Sequence, residues 1–104
     1  MTIYTAKRQS GKTTMLIKQS AETGGIIVAP NYQMANHIEE LARNIGETIP
    51  TPITVFNYIQ RLAIGDFNKN QKYLIDELQM VLDQMNVEIA TVDEKHVYDL
   101  LRLE

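Results

Sequence analysis

The run from Ala6 to Thr14, which reads A-K-R-Q-S-G-K-T-T, constrains the fold of this chain more than any other stretch. Its end, Gly11-Lys12-Thr13, fits the pattern G-x-x-x-x-G-K-[ST], in which backbone amides surround phosphate groups. In such a loop Gly11 permits the turn, Lys12 carries its ammonium to the β- and γ-phosphates, and the Thr13 hydroxyl faces Mg²⁺. Ala6 departs from the pattern, which has glycine there, and alanine adopts positive φ less readily than glycine.

The residues on either side of this run predict a strand, a loop and a helix, in that order. Met1 to Thr5 alternates as a short strand does, and the helical pattern after Lys12 ends at Gly24-Gly25. This order directs the positive end of the helix at the bound phosphates. The contacts predicted for a nucleoside triphosphate come from Gln9, Ser10, Gly11, Lys12, Thr13 and Thr14.

A second chemical signal lies in the run Lys72 to Gln79, which reads K-Y-L-I-D-E-L-Q. Here a short apolar strand ends in two carboxylates, at the edge where an open α/β sheet binds its ligands. Asp76 is predicted to hold Mg²⁺, and Glu77 to activate the water that attacks the γ-phosphate. The other interpretation is an acidic pair that caps a helix over Leu78–Met85.

The remaining segments alternate between strand and helix patterns. They predict strands over 25–29, 53–55 and 87–92, and helices over 33–44, after Val55 through Leu62 or Ile64, and over 93–103. We therefore expect one domain, residues 1–104, with a three-layer α/β fold of the P-loop type. Its mainly parallel sheet would have four to five strands, with helices on both faces.

Composition and charge exclude several classes of protein. The chain of 104 residues has no cysteine, which excludes a disulfide framework and a thiolate zinc site and favours a cytoplasmic location. It has no apolar run of membrane-spanning length, so no membrane partner is expected. The formal net charge is −3, and residues 1–21 carry four basic residues and no acidic ones. No broad basic stripe is present, so charge gives no support for nucleic acid as a partner.

The order of these motifs resembles the first motor domain of superfamily-1 helicases. Four segments carry the likeness, which covers roughly residues 3–92: Ser10-Gly11-Lys12-Thr13, Ile27-Val28-Ala29-Pro30-Asn31, Ile53-Thr54-Val55-Phe56 and Ile75-Asp76-Glu77-Leu78-Gln79. The sequence Arg8-Gln9-Ser10-Gly11-Lys12-Thr13 is also similar to the phosphate-loop sequence in the ATPase of phage large terminases. Both families have the RecA-like P-loop fold.

The resemblance implies an ATP- and Mg²⁺-dependent site and a link to phage DNA metabolism. By this likeness Lys12, Arg8 and Glu77 would be catalytic, Thr13 and Asp76 would hold the metal, and Gln79 would contact the γ-phosphate. Helicase motors also need a second RecA-like domain with an arginine finger, and 104 residues hold only one such domain. Hydrolysis is therefore expected to be weak or to depend on a protein partner, or on a second copy of the chain, that supplies the arginine.

Two other functions fit parts of the same pattern. Thymidine kinases also join S-G-K-T to an I-D-E-x-Q box, with the glutamate deprotonating a sugar hydroxyl, but their zinc-binding cysteines are absent here. A non-catalytic interaction module that keeps the P-loop fold is the remaining alternative, favoured by Ala6. Phe56 and the other aromatic residues are expected to pack at the margin of the core. Packing is also the expected role of Tyr32, with stacking on a base of single-stranded nucleic acid as the alternative.

Overall fold

The computed structural model of the chain describes residues 2–5, 11–65, 70–86, 91, 95 and 97–99. Short strands alternate with helices along the chain. The predicted α/β class is therefore confirmed. The elements are β1 (Ile3–Thr5), α1 (Lys12–Thr23), β2 (Ile26–Ala29), α2 (Tyr32–Asn44), β3 (Ile53–Thr54), α3 (Val55–Ala63), β4 (Tyr73–Ile75), α4 (Leu78–Gln84) and β5 (Val97–Asp99).

Strand β2 is the centre of a three-stranded parallel sheet, with β3 on one side and β4 on the other. Val28 lies opposite Ile53 of β3 and Ile75 of β4. Strands β1 and β5 form a separate parallel pair, with Tyr4 opposite Tyr98. The described strands thus form groups of three and two, whereas the sequence predicted one sheet of four to five strands.

Successive side chains of β2 point to opposite faces of the sheet, and helices cover both faces. On one face Ile27 and Ala29 pack with α1 and α2, whose buried residues are Ile17, Ala35, Ile38 and Ala42. On the other face Val28 and Ile53 pack with one residue each from α3 and α4, namely Val55 and Val81. A strand buried on both faces must be apolar throughout, which explains the unbroken run I-I-V-A.

The turn after α1 connects the helix closely to β2. Gly24 ends the helix in the left-handed conformation, with φ 75°, and its N–H donates to the Ser20 carbonyl at 2.8 Å. The buried Ser20 hydroxyl donates to the Gly25 carbonyl at 2.6 Å. A side chain at Gly25 would approach Leu74 of β4 to 3.1 Å. The predicted Gly24-Gly25 helix end is confirmed.

The C-terminal part of the chain corrects one prediction. A helix was expected over residues 93–103, but Val97–Asp99 is a strand paired with β1. Val97 is β-branched and Tyr98 aromatic, and both types favour strands, so pairing with β1 prevails over the helical spacing. Of the strand predicted over 87–92, only Thr91 belongs to the described residues.

The aromatic residues divide into packed and exposed ones. The rings of Tyr58 and Tyr73 meet edge to face with centroids 4.9 Å apart, beside the α3 and α4 core, as expected. Tyr32 and Phe56 are instead 71% and 68% exposed, so the expected packing of these two is wrong. Each occupies one of the first two positions of its helix, and in α3 it is the neighbouring Val55 that packs into the core.

Candidate functional site

The predicted site residues after β4 lie at the carboxyl end of the three-stranded sheet. Asp76 directly follows Ile75, and its N–H donates to the Val28 carbonyl at 3.0 Å, so β2 fixes its backbone. Glu77 comes next and precedes α4. In open α/β sheets this edge is the usual place for ligand-binding residues.

The described part of the predicted phosphate loop begins at Gly11. Gly11 precedes α1 with φ 85° and ψ 13°, a left-handed conformation that an alanine would adopt only with strain. Its carbonyl accepts the first helical hydrogen bond, from the Met15 N–H at 3.0 Å. Residues 6–10 lie outside the described residues, and with them the predicted roles of Arg8, Gln9 and Ser10.

Lys12 and Glu77 form an ion pair across the site. The Lys12 Nζ lies 2.5 Å from the Glu77 Oε1, and each side chain is 28% exposed. Lys12 is the first residue of α1, so this contact joins the helix to the end of β4. Lys12, which is predicted to bind phosphate, and Glu77, which is predicted to activate water, are thus in direct contact.

Thr13 and Asp76 form the second contact between the two motifs. The Thr13 hydroxyl donates to the Asp76 Oδ2 at 3.5 Å, a long hydrogen bond. Asp76 is only 3% exposed, and none of the described groups donates to its other oxygen, Oδ1. A buried carboxylate oxygen without a partner is costly to stability, which makes it a strong pointer to a bound cation or water.

The surroundings of Asp76 raise the pKa of its carboxyl above the ordinary value of 3.8. Burial is the largest cause, because it disfavours the charged form, and the neighbouring charge of Glu77 adds to it. The Lys12 ammonium and the hydrogen bond from Thr13 act in the opposite direction but do not cancel the effect. A positive ion beside Oδ1 would restore the charged carboxylate.

The interpretation of Asp76 and Glu77 as a capping pair for α4 holds for the position of Glu77 but not for a side-chain capping hydrogen bond. Glu77 does occupy the N-cap position, but no side-chain capping hydrogen bond is found at this end of the helix. Its backbone is left-handed, with φ 57° and ψ 60°, which is uncommon for a residue other than glycine, asparagine or aspartate. The carboxylate binds Lys12 instead of the free amides of α4.

Two further predicted residues lie near this centre without a direct contact to it. Thr14 follows in the first turn of α1 and is half-buried. Gln79 is the second residue of α4 and is exposed. Gln79 lines a cleft of about 900 Å³ between β1, α1 and β4, which Lys12, Asp76 and Glu77 also line. The ion pair and Gln79 therefore face the same cleft.

The residues present fit a Mg²⁺ ion that arrives with a nucleotide. Among the described residues, no group of three His, Asp or Glu side chains comes together to hold a metal by itself. Magnesium bound to phosphates needs only one or two protein oxygens, since phosphates and waters supply the others. The Thr13 hydroxyl and the unpartnered Asp76 Oδ1 meet that requirement.

Sequence reasoning offered base stacking by Tyr32 only as the alternative to packing, and it missed the exposure of Phe56 at the same sheet edge. Tyr32 follows β2 and Phe56 follows β3, and since these strands are parallel neighbours, both exposed rings lie at the edge that carries Asp76. The sequence signal for these exposed rings was their position: Phe56 lies two residues, and Tyr32 three residues, beyond the end of a strand.

Comparison of this chain with family models, with curated proteins and with solved structures found no match. The function must therefore be argued from the geometry of the site. None of the helices in the described ranges is both long and apolar enough to cross a membrane.

Proposed function

We propose that this chain binds a nucleoside triphosphate, ATP being the expected one, together with Mg²⁺, and that it hydrolyses the triphosphate weakly or with a partner. One observation carries the proposal: Lys12 and Thr13 meet Glu77 and Asp76, some 63 to 65 residues further along, around a buried carboxylate oxygen that has no partner among the described residues. The parallel α/β architecture is consistent with the three-layer P-loop fold expected from the sequence.

Each of the four residues has a task that its chemistry suits. Lys12 would bind the β- and γ-phosphates, aided by the free amides of the first turn of α1. Thr13 and Asp76 would hold Mg²⁺, and the ion would neutralise phosphate charge as the reaction proceeds. Glu77 would accept a proton at its carboxylate from the attacking water, while the bond from the γ-phosphorus to the bridging oxygen breaks.

The expected weakness of hydrolysis follows from what these residues lack. Charge that develops on the γ-phosphate in the transition state is commonly stabilised by an arginine, worth about 10³–10⁵-fold in rate. None of the described residues that line the cleft with Lys12 and Asp76 is an arginine. We therefore propose that Arg8, a protein partner or a second copy of the chain supplies it.

Calorimetric titration with ATP and Mg²⁺ tests the binding step. Lys12→Ala should lose at least about tenfold in affinity, since the charged contact to phosphate is removed. Lys18→Ala is the matched control, because Lys18 is an exposed lysine of the same helix. Equal affinity of the wild type and Lys12→Ala would contradict nucleotide binding at this site.

Phosphate release tests the chemical step. Glu77→Gln should keep binding but lose about 10²–10⁴-fold in rate, the usual contribution of a general base. Nucleotide binding without release, with or without single-stranded DNA, would favour the non-catalytic module. Phosphate transferred to thymidine would favour the kinase.

A second candidate function is contact with single-stranded nucleic acid. The exposed rings of Tyr32 and Phe56, at one edge of the sheet, support it, because bases stack on aromatic side chains irrespective of sequence. The absence of a basic stripe in the sequence argues for a weak contact.

A further inference from the structure

The ion pair between Lys12 and Glu77 occupies both of the groups that the proposed reaction needs. Each side chain is only 28% exposed, so the attraction between the two charges is screened less than at an open surface. While the pair is formed, the ammonium is not free for phosphate and the carboxylate is not free for water. The charges of Lys12 and Glu77 thus neutralise each other in this structure.

The backbone of Glu77, which forms this pair, has a left-handed conformation. A left-handed residue with a side chain costs roughly 1–2 kcal/mol relative to the right-handed region, and Glu77 has φ 57°. The first turn of α4 continues from it, with the Val81 N–H donating to the Glu77 carbonyl at 3.0 Å. Its side chain is directed to Lys12 and not to the amides of its own helix.

We propose that the Lys12–Glu77 pair is an autoinhibitory latch, which a triphosphate opens by drawing the Lys12 ammonium onto its phosphates. This inference rests on the proposed nucleotide binding and adds to it the regulation of the same site. A phosphate that binds Lys12 releases Glu77, so the carboxylate is available to water more of the time in the loaded site than in the free protein. The ion pair is broken and a lysine–phosphate contact replaces it.

The first test compares affinities for a non-hydrolysable triphosphate analogue with Mg²⁺ by calorimetry. Glu77→Gln removes the charge that holds Lys12 and should bind the analogue roughly two- to fivefold more tightly than the wild type, as expected for a partly exposed ion pair. Glu40→Gln is the control for net charge, because Glu40 is exposed on α2. Equal affinities of Glu77→Gln and Glu40→Gln would overturn the latch.

The second test measures the state of Lys12 directly. A brief pulse of acetic anhydride, followed by peptide mass spectrometry, gives the acylation rate of each lysine, and an ion-paired ammonium reacts slowly. We expect Lys12 to react more slowly than the exposed Lys18 in the wild type, and faster in Glu77→Gln than in the wild type. An unchanged Lys12 rate in Glu77→Gln would show that the pair does not hold the lysine.

The backbone part of the inference has its own variant. Glu77→Gly removes the carboxylate as Glu77→Gln does, but accepts φ 57° without strain, so it should melt at a higher temperature than Glu77→Gln. Both variants should show the same faster acylation of Lys12. A lower melting temperature for Glu77→Gly would contradict the left-handed conformation at this position.

Failure of the latch and failure of nucleotide binding give different results. If the wild type binds the analogue and Lys12→Ala does not, binding stands, and an unchanged Glu77→Gln then refutes the latch alone. If the wild type and Lys12→Ala bind equally or not at all, the proposed function fails, and the latch fails with it.

Discussion

The Thr13 hydroxyl oxygen lies 3.5 Å from the Asp76 Oδ2, although 63 residues separate the two in the chain. One residue belongs to the first turn of α1 and the other directly follows β4. This contact, with the Lys12–Glu77 pair beside it, brings the two predicted motifs together around one buried carboxylate.

Replacing Thr13 tests its role as a metal ligand. Thr13→Ala should weaken binding of the Mg²⁺–triphosphate complex by about tenfold, because a hydrogen-bonding oxygen next to a charge is lost. Thr13→Ser keeps the hydroxyl and should bind nearly as the wild type does. Calorimetry with and without Mg²⁺ measures both, and a serine variant as weak as the alanine variant would argue against a role for the hydroxyl.

Asp76→Asn should make the free protein more stable at neutral pH and weaken Mg²⁺-dependent binding. The pKa of Asp76 is raised in the folded state, chiefly by burial, so its ionisation lowers the free energy of unfolding. The loss of stability is absent at a pH below 3.8, the pKa of the carboxyl in the unfolded chain. It grows as the pH rises above that value and is complete above the pKa of the folded state.

Denaturant unfolding of Asp76→Asn and wild type from pH 3 to pH 8 measures this effect. The advantage of the variant should be near zero at the acidic end and increase with pH. Asp83→Asn is the control, since Asp83 is an exposed acid on α4. A variant that gains no stability at neutral pH would show that the Asp76 carboxylate is better solvated than its burial implies.

Gly24 should be sensitive to substitution for a backbone reason. It has φ 75°, and apart from its chain neighbours no described residue has an atom within 4 Å of the place where a Cβ would be, so strain and not crowding decides the cost. Gly24→Ala should lose about 1 kcal/mol of stability, which lowers Tm by roughly 4–8 °C. Gly24→Asn should lose less, because asparagine accepts the left-handed region more readily. Equal losses in the two variants would point to another cause.

Ile17 should be the residue of α1 whose truncation costs most. It is fully buried between the helix and the sheet, five residues after Lys12. Ile17→Ala should cost about 2–5 kcal/mol, whereas Ile64→Ala should stay within about 0.5 kcal/mol, since Ile64 is 76% exposed. Chemical denaturation measures both, and similar losses would place α1 away from this core.

The two exposed aromatic residues make the nucleic-acid interpretation testable. If single-stranded DNA binds at this edge, Tyr32→Ala and Phe56→Ala should each weaken it by about 5- to 100-fold, the value of one stacked base. Ile64→Ala is the control, as an exposed apolar residue at the other end of α3. Fluorescence anisotropy of a labelled oligonucleotide at low salt measures this, and binding equal to that of the wild type would exclude stacking on these rings.

Much of the local structure was predictable because it depends on neighbours in the chain. The unbroken apolar run of β2, the glycine after α1 and the helical spacing of α2 were each read correctly. The strand at Val97–Asp99 was not, because its partner β1 lies more than ninety residues earlier, and only pairing with it outweighs the local helical pattern.

The sequence by itself determined which chemical groups are present: a lysine and a threonine at the start of a helix, and two carboxylates at the end of a strand. Only the tertiary structure decided that Lys12 contacts Glu77 and that Asp76 is buried with one oxygen unpartnered. It also decided that Tyr32 and Phe56 remain exposed. Periodicity and spacing act over a few residues, whereas burial and charge pairing depend on which distant segments the parallel strands bring to one edge.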